Sequence, residues 1–96
     1  MLFVIHAEDH PDSTAKRLAN YDAHKAYLSA TDGAGKLRIL LSGPLVSDDD
    51  EVMRGSLFMV EAPDRATVEA FNQADPFAAV GLWQRVSISA FRKSRG

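Results

Sequence analysis

The sequence predicts an α+β domain whose elements follow the order strand, helix, strand, strand, helix, strand. Two observations support this order: four short apolar runs rich in strand-forming residues, and two longer glycine-free segments of helical composition after the first and third runs. A third observation is an internal repeat, because LFVIHAED before the first helical segment resembles LFMVEAPD before the second. The 96 residues have the length of one domain, which we assign to residues 1–96.

The first half of the chain predicts one strand and one helix. The run LFVIHA (Leu2–Ala7) ends at the turn-forming residues EDHPDS, where Asp12 or Ser13 can cap a helix. The segment from Thr14 to about Ala30 contains no glycine or proline and is rich in alanine, leucine, lysine and arginine, so it predicts a continuous helix. The glycines of TDGAGK end this helix.

The second half predicts two strands, a second helix and a fourth strand. A polar loop with the acidic run DDDE separates the two strands, and Pro63 and Asp64 start the helix. The predicted bounds are Leu37–Gly43 and Gly55–Ala62 for the strands, Arg65 to about Ala74 for the helix, and Leu82–Phe91 for the last strand.

This order of elements is typical of a ferredoxin-like βαββαβ fold, a four-stranded antiparallel sheet with two helices on one face. Right-handed crossovers place the first and third strands in its centre. Large apolar residues alternate onto both faces of the sheet, as in Leu2 and Val4 against Phe3 and Ile5, Leu57 and Met59 against Phe58 and Val60, and Val86 and Ile88 against Trp83 and Phe91. Two helices cover only one face, so we expect a homodimer in which the sheets of two copies pack together.

The composition argues against several classes of function. The 11 basic and 13 acidic residues give a net charge of −2, so we expect no attraction to nucleic acid or to an anionic membrane. The absence of cysteine excludes disulfides, thiolate chemistry and cysteine-based metal sites in these residues. No apolar run approaches the roughly 20 residues of a membrane-spanning helix. The opening MLFVIHAEDH lacks the basic start and cleavage site of a signal peptide, so we expect a cytoplasmic protein.

No pattern in the sequence is typical of a cofactor or a metal site. The glycines of DGAG open no helix, as those of a phosphate-binding loop would, and no serine lies in a nucleophile elbow. His6 and His10 lie near Glu8 and Asp9, but their spacing is not one of the recognised metal-ligand patterns. We therefore expect neither a cofactor nor a metal ion.

The segment NQADPFAAVGLW contains a carboxylate in an apolar setting. Pro76 disfavours helical geometry at Asp75, so the second helix should end near Ala74. The same proline suits the first position of a new helix, and aspartate is a favoured cap before it, so a short capped helix should run to Gly81. This cap explains Asp75 locally.

The position of Asp75 indicates a second role. It lies seven residues after Val68 and four after Phe71, the positions that face the sheet, so its carboxylate arrives on the apolar side of the helix end. Burying an unpaired charge there is costly. Two helices on one face of a sheet lie about 10 Å apart, and His24 is the histidine that the first helix carries, so we expect these two side chains to meet.

His24 lies on the first predicted helix beside the apolar stripe of Leu18, Tyr21 and Leu28, in a polar row with Arg17 and Tyr21. Spacing alone allows two interpretations of this row. The side chains either extend along the edge of the helix towards water, or they line a cleft. In a cleft, His24 would move a proton near neutral pH and Arg17 would supply positive charge for an anionic group.

Four pieces, KRLANYDAHKAYL, LSGPL, GSLFMVEA and ADPFAAVGLW, together resemble the YCII family of small dimeric α+β proteins, in the family's order and over nearly the whole chain. The resemblance implies a dimer of facing sheets, the dimeric α+β barrel arrangement, and a cleft with a His–Asp pair that falls on His24 and Asp75. Expected ligand-binding residues are Arg17, Tyr21, Gly43, Pro44 and Ser56. Described enzymes of the family include a dehydrochlorinase acting on a chlorinated hydroxyhydroquinone. The loop from Val46 to Arg54 is shorter and more acidic than the family pattern.

The expected function is that of a small cofactor-independent enzyme acting on a small aromatic or lactone-like metabolite. His24 would be the general acid or base and Asp75 would orient it, which suits isomerisation or an elimination such as dehydrochlorination. One alternative is a binding or sensing module that holds a small molecule without turnover. Another is a His–Asp pair that only fastens the two helices together.

Overall fold

The computed structural model describes residues 1–96. Its elements are β1 (Leu2–Asp9), α1 (Thr14–Ala19), α2 (Tyr21–Thr31), β2 (Arg38–Val46), β3 (Met53–Glu61), α3 (Arg65–Gln73), α4 (Pro76–Ala79) and β4 (Trp83–Phe91). The four strands form one antiparallel sheet in the order β2-β3-β1-β4. The predicted ferredoxin-like α+β fold is therefore confirmed, with β1 and β3 in the centre of the sheet.

The hairpin between β2 and β3 is longer than predicted. The sequence placed Pro44 at the start of a polar loop, but β2 continues through Pro44 to Val46, and β3 already begins at Met53. Proline is tolerated there because β2 lies at the edge of the sheet, where one side of the strand needs no amide donor. The acidic run forms the turn, in which the Asp49 carboxylate accepts hydrogen bonds from the Ser47 hydroxyl and the backbone amide of Glu51.

The first helical segment is broken, which corrects the prediction of one continuous helix. Asn20 leaves helical geometry at φ −111° and ψ 6°, and its side-chain amide donates to the carbonyl of Lys16 at 2.9 Å. Asparagine side chains compete in this way with the helical hydrogen bonds. Arg17 is nevertheless buried on the same side as His24, and Leu18, predicted to lie on the apolar stripe, is 57% exposed.

The core lies between the helices and one face of the sheet. The apolar residues of this face are Phe3, Ile5, Phe58 and Val60, and Val68 and Phe71 from α3 pack onto them. Each of these side chains stabilises the fold by roughly 1.5–3 kcal/mol through burial. Tyr27 joins α2 to α3, because its hydroxyl donates to the carbonyl of Phe71 at 2.7 Å. None of the helices has the length and apolar character needed to cross a membrane.

Trp83 lies on the core side of the sheet, which corrects its predicted position opposite Val86 and Ile88. The pairing of β1 with β4 shifts register between Glu8 and Asp9, so Trp83 pairs with Asp9 and faces the helices. Its ring contacts Phe58 and Phe77 edge-on.

No helix covers the second face of the sheet. Strand alternation places a set of apolar side chains on it: Leu2, Val4, Leu41, Leu57, Met59 and Phe91. Leu41 and Phe91 are exposed, and the other four are partly exposed. We call this the outer face.

Candidate active site

The histidine of α2 and the aspartate that follows α3 meet in the interior. Nδ1 of His24 lies 2.9 Å from each carboxylate oxygen of Asp75. Both side chains are buried, with 7% of His24 and none of Asp75 exposed. A carboxylate only accepts hydrogen bonds, so Nδ1 carries the hydrogen of the neutral imidazole. The other ring nitrogen, Nε2, is then an acceptor.

Asp75 holds this position because it also caps α4. Its backbone is extended, with φ −64° and ψ 135°, and its Oδ1 accepts a hydrogen bond of 2.9 Å from the backbone amide of Phe77. Pro76 occupies the first turn of the helix. The predicted cap and the predicted partner of His24 are thus one carboxylate, which satisfies two donors at once.

Aromatic rings surround the imidazole of His24 and fix its plane. The ring of Phe77 lies parallel to it, with 4.0 Å between centroids, and the rings of Tyr21 and Phe58 contact it edge-on. Nε2 makes no hydrogen bond within the chain and is not sealed from solvent. The free nitrogen of the ring is therefore available to a ligand.

Arg17 lies at the site, but its charge is already paired. Its Nε and Nη2 donate to the two carboxylate oxygens of Asp9 at 2.8 and 3.1 Å, and Nη2 also donates to the Ser56 hydroxyl at 2.8 Å. Only 1% of Arg17 is exposed, and its guanidinium lies 4.7 Å from the centroid of the Phe77 ring. Arg17, which is expected to supply positive charge for an anionic group, thus forms a buried ion pair with Asp9 and holds the hydroxyl of Ser56.

A cavity of about 240 Å³ opens beside these residues. All the expected ligand-binding residues line it, namely Arg17, Tyr21, Gly43, Pro44 and Ser56, together with His24. Four residues that the sequence did not indicate as ligand-binding also line it: Lys25, Leu28, Ser42 and Phe58. Their spacing could have revealed them. On the helix, Lys25 lies four residues after Tyr21, and Leu28 lies four residues after His24. On the strands, Ser42 lies two residues before Pro44 and Phe58 two residues after Ser56, which places each pair on one face of the sheet.

The negative charge of Asp75 also affects the pKa of Tyr27. Burial first, and the negative charge of Asp75 second, raise the pKa of the Tyr27 phenol above its ordinary value of about 10. Tyr27 therefore stays a neutral donor to the carbonyl of Phe71.

A second, larger cavity of about 630 Å³ lies at the end of the sheet and is lined in part by His6, Glu8, Asp9, His10 and Arg54. No group of three or more histidine, aspartate or glutamate side chains is arranged to hold a metal ion. The acids and histidines of this region therefore do not converge on one point.

Comparison with known proteins finds relatives that match nearly the whole chain. The family model described as YCII-related domain matches residues 1–92. The protein YciI of Escherichia coli O6:H1 is 35% identical over 98 residues, covering 97% of this chain and 98% of the relative. An uncharacterised protein of Haemophilus influenzae is 29% identical with the same coverage.

Solved structures share the fold of this chain. The 5-chloro-2-hydroxyhydroquinone dehydrochlorinase of Burkholderia phenoliruptrix, in complex with 2,5-dihydroxybenzoquinone, superimposes with a TM-score of 0.83 at 34% identity, covering 96% of this chain and 94% of that one. An antibiotic biosynthesis monooxygenase shares the fold at 18% identity and a TM-score of 0.58, covering 99% of this chain and all of that one.

Proposed function

This chain belongs to the YCII-related family, and on that premise we propose that it is a small acid–base enzyme that uses His24 and Asp75 together. The observation that carries the proposal is the orientation of the imidazole: Asp75 holds Nδ1, and Nε2 remains free beside a cavity. A histidine fixed in this tautomer is equipped to remove a proton from a ligand.

The proposed reaction begins with proton transfer to Nε2 of His24 from a carbon or hydroxyl of the ligand. The imidazole then becomes positively charged, and the buried carboxylate of Asp75 stabilises that charge directly across the 2.9 Å hydrogen bond. Return of the proton to another ligand atom completes an isomerisation. Departure of a leaving group such as chloride with its bonding electron pair completes an elimination, after which the imidazolium of His24 gives its proton to water. Both reactions therefore need only this pair, the ligand and solvent.

The size and lining of the cavity support a small ligand with hydroxyl or carbonyl groups. Its volume of about 240 Å³ is below the roughly 300 Å³ at which pockets for drug-sized ligands begin, which suits one ring. The hydroxyls of Ser42 and Ser56 provide hydrogen bonds, and Tyr21 and Phe58 provide aromatic surface. The related dehydrochlorinase binds 2,5-dihydroxybenzoquinone, a ring of this size, so a small hydroxylated aromatic or lactone-like compound is the proposed substrate class.

The proposal includes a homodimer formed by the outer faces of two sheets. The outer face carries large apolar side chains on all four strands, without a helix to cover them. Contiguous apolar surface of this kind is rare on the outside of a monomer. A second copy of the same face supplies a cover of matching shape, and face-to-face packing is the usual arrangement of two such sheets.

Hydrogen exchange tests the proposed function. Single-ring hydroxylated aromatics and lactones would be incubated in heavy water with the wild-type protein, with His24→Gln, and with His10→Gln as a control at an exposed histidine. The proposal expects exchange at an acidic carbon with the wild type and His10→Gln and its loss in His24→Gln. A compound that binds all three proteins equally and is never exchanged would instead identify a binding or sensing module.

A further inference from the structure

Cationic but no acidic side chains line the cavity beside His24, although the net charge of the chain is −2. Its lining includes two cationic residues, Arg17 and Lys25, and no acidic residue. Asp9 and Asp75 lie behind the lining, where they pair with Arg17 and His24. The larger cavity at the end of the sheet differs, because Glu8, Asp9 and Asp12 line it as well as Arg54. The two cavities therefore differ in the charges that line them.

Of the two cations, Arg17 has little charge left to offer a ligand. Its guanidinium is bound by both oxygens of Asp9 in a buried pair. Its third hydrogen bond goes to Ser56, and its face lies against Phe77. A paired and buried guanidinium of this kind holds other residues in place, so recognition of a negative ligand requires a different residue.

Lys25 meets that requirement. Its side chain is 62% exposed at the cavity mouth, and its Nζ lies 5.1 Å from the centroid of the Tyr21 ring. Its acidic neighbour is Asp22, 3.7 Å away with a fully exposed side chain. Exposed pairs of this kind are weak, so the ammonium group keeps its attraction for other anions.

The ring of Tyr21 contacts both Lys25 and His24, the proposed proton-transfer group. The ring of Tyr21 contacts the imidazole of His24 edge-on, with 6.1 Å between centroids, and contacts the ammonium of Lys25 through its face. Lys25 and His24 thus contact the same ring. A ligand with its negative group at Lys25 would have its other end near His24.

We infer that Lys25 is the residue that recognises anions in this cavity, and that the ligand is a single-ring organic oxyanion, a carboxylate or a phenolate. The inference rests on the proposed function, because it assigns the reacting end of the ligand to His24. It extends that proposal by specifying the ligand's charge and the side chain that selects it.

Binding of matched probes tests this inference without any turnover. Benzoate and benzamide have nearly the same shape and differ in charge. Each would be titrated into isotope-labelled protein, and the backbone amide signals of Ser42, Gly43 and Ser56, which line the cavity, would report binding. The variants are Lys25→Gln and Lys25→Arg, with Lys36→Gln as a control lysine that lines a different cavity, between α2 and α3.

We expect the wild type to bind benzoate more tightly than benzamide, and Lys25→Gln to weaken benzoate binding about threefold to tenfold without affecting benzamide. Lys25→Arg and Lys36→Gln should keep the preference, and added salt should reduce it. Benzoate binding no tighter than benzamide binding, or an equal effect of the two glutamine variants, overturns the inference. The preference should persist in His24→Gln, so a failure of the acid–base proposal gives a different result from a failure of this one.

Discussion

The imidazole of His24 lies flat against the ring of Phe77, with 4.0 Å between the ring centroids and 12° between the ring planes. The backbone amide of Phe77 meanwhile donates to Asp75. One residue therefore contacts both members of the pair, through its ring and through its main chain. Stacking of this geometry is favourable by about 0.5–1.5 kcal/mol beyond burial, and it restrains rotation of the imidazole.

Replacing Phe77 by leucine should weaken both the fold and the site. The side chain is fully buried, so we expect the free energy of unfolding to fall by about 1–3 kcal/mol, measured by urea denaturation. Phe71→Leu is the control, because Phe71 is buried but stacks on Tyr27. Hydrogen exchange of a substrate should fall further in Phe77→Leu than in Phe71→Leu. Equal losses in the two variants would show that the stack does not position His24.

Removing the carboxylate of Asp75 should change the tautomer of His24. In the wild type, nitrogen NMR should find the hydrogen of the neutral ring on Nδ1, because Asp75 accepts it there. In Asp75→Ala the Nε2–H tautomer should gain population, and the free energy of unfolding should fall by about 1–3 kcal/mol through loss of the cap and of the buried hydrogen bonds. Asp64→Ala, which removes only the exposed cap of α3, should leave the tautomer unchanged. An unchanged tautomer in Asp75→Ala would contradict this assignment.

Removing only Asp9 from the buried ion pair with Arg17 should destabilise the fold more than replacing both residues by apolar ones. Asp9→Leu leaves an unpaired guanidinium that is 1% exposed, so the free energy of unfolding should fall by about 3–5 kcal/mol. The double variant Arg17→Met with Asp9→Leu removes both charges. Urea denaturation should show it to be more stable than Asp9→Leu alone, and additive losses would mean that the two residues do not interact.

The raised pKa of Tyr27 makes the fold sensitive to alkali. A phenol whose pKa is higher in the folded than in the unfolded state stabilises the fold fully below about pH 10, and the contribution is lost as the pH rises through the folded value. Urea midpoints measured from neutral to alkaline pH should fall less steeply in Tyr27→Phe than in the wild type. Tyr21→Phe is the control and should follow the wild-type curve.

A charge on the outer face should prevent the proposed dimer. Met59→Lys places an ammonium group among the apolar side chains of β1, β2 and β3, and burying it without a partner is unfavourable. Analytical ultracentrifugation should show a dimer for the wild type and a monomer for Met59→Lys. Leu18→Lys, on exposed α1, should remain dimeric. A wild-type monomer at all concentrations would refute the sheet-to-sheet arrangement.

Local rules account for the features that the sequence predicted correctly. The end of α3, the cap at Asp75 and the short helix after it all follow from the proline at position 76. The approach of Asp75 to His24 follows from helical periodicity, together with the rule that a buried carboxylate has a partner.

The features that the sequence did not reveal depend on irregular backbone or on distant pairing. The break at Asn20 interrupts the helix that was predicted to be continuous, and Leu18 is exposed although it was predicted on the apolar stripe. The bulge between Glu8 and Asp9 moved Trp83 to the core face. The pairing of Arg17 with Asp9 is a contact between a strand and a helix that no spacing rule anticipates. Such contacts arise only when the whole sheet is assembled.

Because Asp75 both caps α4 and binds His24, substitutions at these two positions should behave differently in a large mutational screen. The carboxylate that caps α4 also holds the imidazole of His24, so a change at Asp75 should reduce cellular abundance and the proposed activity together. A change at His24 leaves that helix start in place. A screen that measures only protein abundance should therefore reject most variants at Asp75 and retain more variants at His24. The retained His24 variants would allow effects on the proposed activity to be measured separately from effects on folding.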